Sequence, residues 1–143
     1  MSQLKVNSII PVSGVPTGGG GGIIQIKQTV KTDAFSTSST SFVDVTGLSV
    51  AITPTSSSSK ILVSCCVALG PHENSFAYAQ LLRGSTNIGQ ADAAGNRARP
   101  TFMAYQAFRT TMIMQPFEFL VSPNTTSATT YKIQLRAATV DSA

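Results

Sequence analysis

The chain alternates apolar and polar positions through most of its length, and the period is two. Ile24, Ile26, Gln28 and Val30 fall on one face and Gln25, Lys27, Thr29 and Lys31 on the other, which predicts a strand with one buried face. FSTSSTSFVDV, residues 35–45, adds a Ser/Thr-rich bend, and Gly47 marks a turn. In LSVAITP the residues Leu48, Val50 and Ile52 point inward and Pro54 closes the strand. KILVSCCVALG, residues 60–70, is apolar on both faces and reads as a central strand covered on each side. FAYAQLLRG alternates again, GSTN at residues 84–87 predicts a tight hairpin turn, and Ile88 opens a short return strand. Residues 101–121 carry Phe102, Tyr105, Phe108, Met112, Met114, Phe117 and Phe119. They predict two long strands meeting near residues 109–111, with Pro116 at a bulge or an edge, and most of the aromatic bulk of the core. YKIQLRAAT closes the pattern with Tyr131, Ile133 and Leu135 inward. About eight short strands with turn signals every 8–12 residues and no helix of ten residues predict an all-β fold, a jelly-roll-like two-sheet sandwich.

Upstream of this body the pattern breaks at five consecutive glycines, residues 18–22. Residues without a Cβ cannot be held by side-chain packing and lose the most backbone entropy on ordering, so this run reads as a hinge. The expected organisation is therefore an extended N-terminal arm with a Gly-rich linker, residues 1–22, and one β-sandwich domain, residues 23–143. Within the arm Leu4, Val6, Ile9 and Ile10 offer an apolar stripe with nothing of its own to bury against, and Pro11, Gly14 and Pro16 stop regular structure. As a flexible tether, residues 11–22 reach roughly 20 Å, enough to carry the stripe to an adjacent subunit or another protein.

Composition narrows the choice of function. With 143 residues and 11% charged side chains the chain suits one domain rich in strands and turns. Ten basic residues against six acidic give a net charge of +4, but they are scattered, whereas a nucleic-acid footprint clusters on one face. No apolar run of about 18 residues and no signal segment is found, so membrane insertion and secretion by a signal peptide are not expected. Cys65 and Cys66 are adjacent and should point to opposite faces, two free and buried thiols with no disulfide framework.

Candidate chemistry is sparse. His72 and Glu73 are neighbours in PHENS, with no nucleophile tied to them; one His and two adjacent Cys match no zinc spacing; the carboxylates stand singly. The glycine run lacks the Lys-Ser/Thr of a phosphate loop. No catalytic residue, metal or cofactor is expected. What remains is surface: His72, Glu73 and Asn74 in the loop at 71–75, and Asn96, Arg97 and Arg99 in the polar insertion at 90–100, can face a sugar or protein, with Tyr78 or Tyr105 available for stacking if exposed.

Two groups of segments carry a likeness. MSQLKVNSIIPVSG resembles the N-terminal segment of small bacteriophage virion proteins, and IIQIKQTVKTDAFSTSSTSFVDVTGLSVAITPTSSSSKILV, LLRGSTNIG and SPNTTSATTYKIQLRA are similar to the tail-fibre-like proteins of marine and cyanobacterial phages. The resemblance implies a non-catalytic virion structural protein, assembled in the host cytoplasm, forming a homotrimer with a jelly-roll-like head. Its implied partners are copies of itself, other virion proteins through the arm, and a host-surface glycan or protein through the loops, but no nucleic acid. A capsid decoration protein is the alternative, and a polysaccharide-degrading enzyme the remote one.

Overall fold

The computed structural model describes residues 23–108 and 111–138, so the arm residues Leu4, Val6, Ile9 and Ile10 lie outside the described residues. Seven strands follow in order, with no helix among the described residues: β1 (Val43–Ile52), β2 (Ile61–Leu69), β3 (Ser75–Arg83), β4 (Thr86–Ile88), β5 (Phe102–Gln106), β6 (Ile113–Val121) and β7 (Thr129–Ala137). They build two antiparallel sheets. One has the order β1-β7-β3, with β4 and β5 sharing the far edge of β3; the other holds β2 and β6 alone.

Alternation does the sorting. Leu48, Val50 and Ile52 of β1, and Tyr131, Ile133 and Leu135 of β7, face the space between the sheets, where Val45, Ile61, Leu69, Ala79, Leu81, Phe102 and Val121 complete the core. Gly47, read from sequence as a turn, sits inside β1. With φ at 81° it takes a left-handed conformation that other residues avoid, and it forms a bulge between the Asp44↔Gln134 and Ser49↔Lys132 pairs. The bulge brings both Val45 and Leu48 to the core. The hairpin at 84–87 is present as a two-residue turn, closed by the Arg83↔Thr86 pair. Gly89, at φ 68°, is a site of close approach: a Cβ there would stand 2.6 Å from Cζ of Phe117, so its absence lets the β6 ring close against the five-stranded sheet.

Three sequence expectations change. Residues 23–31 form no strand, and Ile24, Ile26 and Val30 are exposed, because alternation fixes the two faces of a segment and not whether it joins a ladder. Residues 60–70 are not centrally covered. β2 is one of two strands in its sheet, packing Ile61, Val63, Cys65, Val67 and Leu69 inward and leaving its other face exposed. Finally, the aromatic segment does not chiefly fill the core. β5 pairs with β3 and β6 with β2, in different sheets, so Phe102 and Phe117 turn inward while Tyr105, Phe108, Met112 and Met114 are exposed. Pro116 lies on an edge strand, as expected for a residue that cannot donate to a ladder.

Cys65 and Cys66 are free and point to opposite faces, but only Cys65 is half-buried and Cys66 is exposed. Burial, reinforced by the neighbouring thiol, pushes the Cys65 thiol above its ordinary pKa. Because the thiolate is the reactive form, Cys66 should alkylate first at pH 8, with Cys65 at least about 10-fold slower; peptide mapping after timed iodoacetamide treatment reads the ratio, and equal rates would contradict the inward placement of Cys65.

Candidate functional site

The outer face of the five-stranded sheet gathers side chains that are far apart in sequence. β3 supplies Phe76 and Tyr78; register places Tyr105 of β5 opposite Phe76, and Met103 of β5 and Arg136 of β7 opposite Tyr78. The Phe76 and Tyr78 rings stack at 5.8 Å, and the Phe76 and Tyr105 rings meet at 4.7 Å with a tilt of 45°. Arg136 lies over both Tyr78, at 4.2 Å, and Phe42, at 5.3 Å. Tyr105 is 47% exposed. The patch is an aromatic shelf with a fixed cation, and rings of this kind present an apolar face and a polar tip to a ligand.

Beside the shelf runs a polar ladder across three strands. Gln80 Nε2 donates to Gln134 Oε1 at 2.6 Å, Gln134 Nε2 donates to Asp44 Oδ1 at 2.7 Å, and Lys132 Nζ meets Asp44 Oδ2 at 2.8 Å. The Lys132 ammonium, and then the Gln134 amide, hold the Asp44 carboxyl below its ordinary pKa. The amides and the carboxylate are thereby oriented before any ligand arrives.

The loop at 71–75 joins this face. Asn74 takes a left-handed conformation with φ at 53°, Ser75 N donates to the His72 carbonyl at 3.1 Å to close the turn, and Tyr105 Oη donates to Asn74 Oδ1 at 3.4 Å. Asn74 thus borders the shelf, and His72 in the same loop is exposed. His72 Nδ1 donates to the Glu73 backbone carbonyl at 3.2 Å, a local bond that orients the ring within the loop. Loop 90–100 leaves the middle of the β3 edge, between β4 and β5. Its Arg99 is occupied in closing the loop, with Nε and Nη2 donating to the Ala91 carbonyl at 2.9 and 2.6 Å, while Gln90 Nε2 donates to the Arg99 carbonyl at 2.5 Å. Asn96 and Arg97 are exposed near a turn at Gly95. Sequence reasoning found the 71–75 loop and named both tyrosines, but missed Phe76, Phe42 and Arg136 as members of one patch; the alternation of FAYAQLLRG was the available signal for the Phe76 and Tyr78 pair.

A second feature is a cleft of about 950 Å³ lined by residues 63–68 of β2, by residues 27–35, and by Leu48, Val50, Tyr131 and Ile133 of the five-stranded sheet. The cleft opens to the surface, so solvent or another stretch of chain can enter it. Two buried polar atoms in this region, Gln106 Oε1 and Tyr131 Oη, have no hydrogen-bond partner among the described residues, and burial raises the Tyr131 pKa against the opposing effect of Arg83. Among the described residues no group of three or more His, Cys, Asp or Glu side chains could hold a metal ion.

No protein family, curated protein or solved structure matches this chain.

Proposed function

We propose that the chain is a bacteriophage virion structural protein, a tail-fibre or tail-tip component anchored through residues 1–22, with a jelly-roll-like head that forms a homotrimer and meets a host-surface glycan or protein. The observation that carries the binding half of this reading is the aromatic shelf of Phe76, Tyr78 and Tyr105, with Arg136 fixed over Tyr78 at 4.2 Å. A sugar ring stacks on such a surface by its C–H face, and the Asn74 and His72 loop and the Gln134–Asp44 pair, backed by buried Gln80, offer donors and acceptors for its hydroxyls. The anchoring half rests on the likeness of the N-terminal segment and on the apolar stripe Leu4, Val6, Ile9 and Ile10.

Labelled particles test the whole. The label should fall on the tail in micrographs; a label on the head would favour a capsid decoration protein instead. A Leu4→Asp/Val6→Asp variant should fold and yet be lost from particles by at least about 10-fold, and unimpaired incorporation would remove the anchoring role. Turnover of host-envelope polysaccharide by the purified protein would replace this reading with an enzymatic one.

A further inference from the structure

We infer that β2 is a strand acceptor and that its occupant is the segment 23–31 of a second copy of this chain. The inference deepens the self-association in the reading above and rests on nothing else in it.

The acceptor is identified by its unprotected edge. Among the described residues β2 bonds to β6 on one side and to no strand on the other, and its nine residues ILVSCCVAL contain no charge and no proline. Exposed edges are ordinarily blunted by such residues, because a bare row of N–H and C=O groups recruits another strand. β6, the other edge of the same sheet, is blunted: it carries Pro116 and Glu118. A two-stranded sheet is also marginal by itself. One more strand on β2 would bring the seven described strands to eight.

The donor is identified by its unused pattern. Residues 23–31 make no backbone hydrogen bond among the described residues, yet they alternate, and Ile26 is 76% exposed. Nine residues of strand extend about 30 Å, the length of β2. With Ile24, Ile26 and Val30 turned into the cleft, their apolar surface meets Val63, Cys65 and Val67 of the acceptor. The opposite face then adds Gln25 and Lys27 to the outer face, whose Ser64 donates to Glu118 at 3.1 Å. Lys27 has no partner among the described residues, and Glu118 is the carboxylate on that face, so charge as well as periodicity fits.

The occupant is a second copy because the chain's own segment lies against the other sheet. Thr29 Oγ1 donates to the Ser49 carbonyl of β1 at 2.7 Å, and Lys31 Nζ stands 3.9 Å from where a Cβ on Gly47 of β1 would be. Each copy thus offers one strand and one empty edge. Such a donation is heterologous unless reciprocated; it gives a ring where the rotation closes, a filament where it does not, and a swapped pair where it is reciprocal.

Cross-linking tests this through the exposed thiol of Cys66. In a Cys65→Ser background, Gln25→Cys and Lys27→Cys are placed one at a time at exposed positions, and full-length protein is mildly oxidised. One of the two should join Cys66 of another chain in more than half of the molecules, mapped by peptide mass from the covalent oligomer on a non-reducing gel, while Ile26→Cys on the inward face should not. A disulfide of these residues within one chain would overturn the inference in favour of the chain's own segment. Self-association without the mixed disulfide would overturn strand donation and leave the oligomer standing, and a monomeric mass would remove both. Ile24→Asp/Ile26→Asp supplies an independent readout: the oligomer should dissociate at least about 10-fold more readily with an unchanged far-ultraviolet dichroism spectrum, and an unaffected oligomer would contradict the donor assignment.

Discussion

Replacing Leu81 with alanine is expected to destabilise the fold by about 2–5 kcal/mol, the range for emptying a well-packed leucine site. Leu81 is 2% exposed and sits where the five-stranded sheet is densest, opposite Ile88 on one side and Ile133 on the other. Its amide donates to the Thr101 side chain at 3.0 Å, and the same hydroxyl donates to the Ile88 carbonyl at 3.2 Å. Thr101 thus bridges the gap at which β4 ends and β5 begins. The side chain also borders the inter-sheet cleft, so water can enter the space left by the truncation, and the loss should fall toward the lower end of the range. Leu62→Ala is the matched control. Leu62 is 61% exposed on the outer face of β2, and its truncation should change the unfolding free energy of the unassembled chain by less than about 0.5 kcal/mol. Chemical denaturation of both variants reads the difference, and equal losses would mean that the core does not lie between the two sheets.

The contrast between those two leucines shows what periodicity carries and what it omits. Alternation assigned Leu48, Val50, Ile52, Tyr131, Ile133 and Leu135 to the inner face, and all six pack on the core or form it, because a strand's two faces follow from its own covalent geometry. It also located the turn at Gly84 and the loop at 90–100. Which sheet a strand joins is set by partners distant in sequence. β5 and β6 therefore read as one aromatic hairpin although they belong to opposite sheets. An apolar run on both faces likewise promises two covers; β2 has one within its own chain, and its outer residues Leu62, Cys66 and Ala68 remain uncovered. The candidate site follows the same rule. PHENS was visible as a loop with polar side chains, but its contact with Tyr105 spans 31 positions, and the seat of Arg136 over Tyr78 and Phe42 exists only because β7 lies between β1 and β3.

On the proposed reading, Tyr105→Ala should lower binding to the host-surface glycan or protein by roughly 30-fold, the equivalent of a 2 kcal/mol hot spot, while leaving the fold intact. Tyr105 contributes the outermost ring of the shelf, with one edge on Phe76 at 4.7 Å and its hydroxyl on Asn74; nearly half of its surface faces solvent, so truncation opens no cavity. Phe76 and Tyr78 are half-buried, and their truncation would mix lost packing with lost binding, which makes Tyr105 the cleaner probe. Arg136→Ala should weaken binding less, because the guanidinium spends its charge on two rings beneath it and fixes their orientation. Arg97→Ala provides the opposing test: Arg97 is exposed on the loop at the middle of the β3 edge, and its loss should leave affinity within about twofold, a change below the 1.4 kcal/mol that separates tenfold affinities. Adsorption of purified protein to isolated host envelope, read as an affinity for each variant, orders the two surfaces. If Arg97→Ala abolished adsorption and Tyr105→Ala spared it, the receptor-facing surface would be the 90–100 loop, and the stacked rings would serve only to cover the sheet.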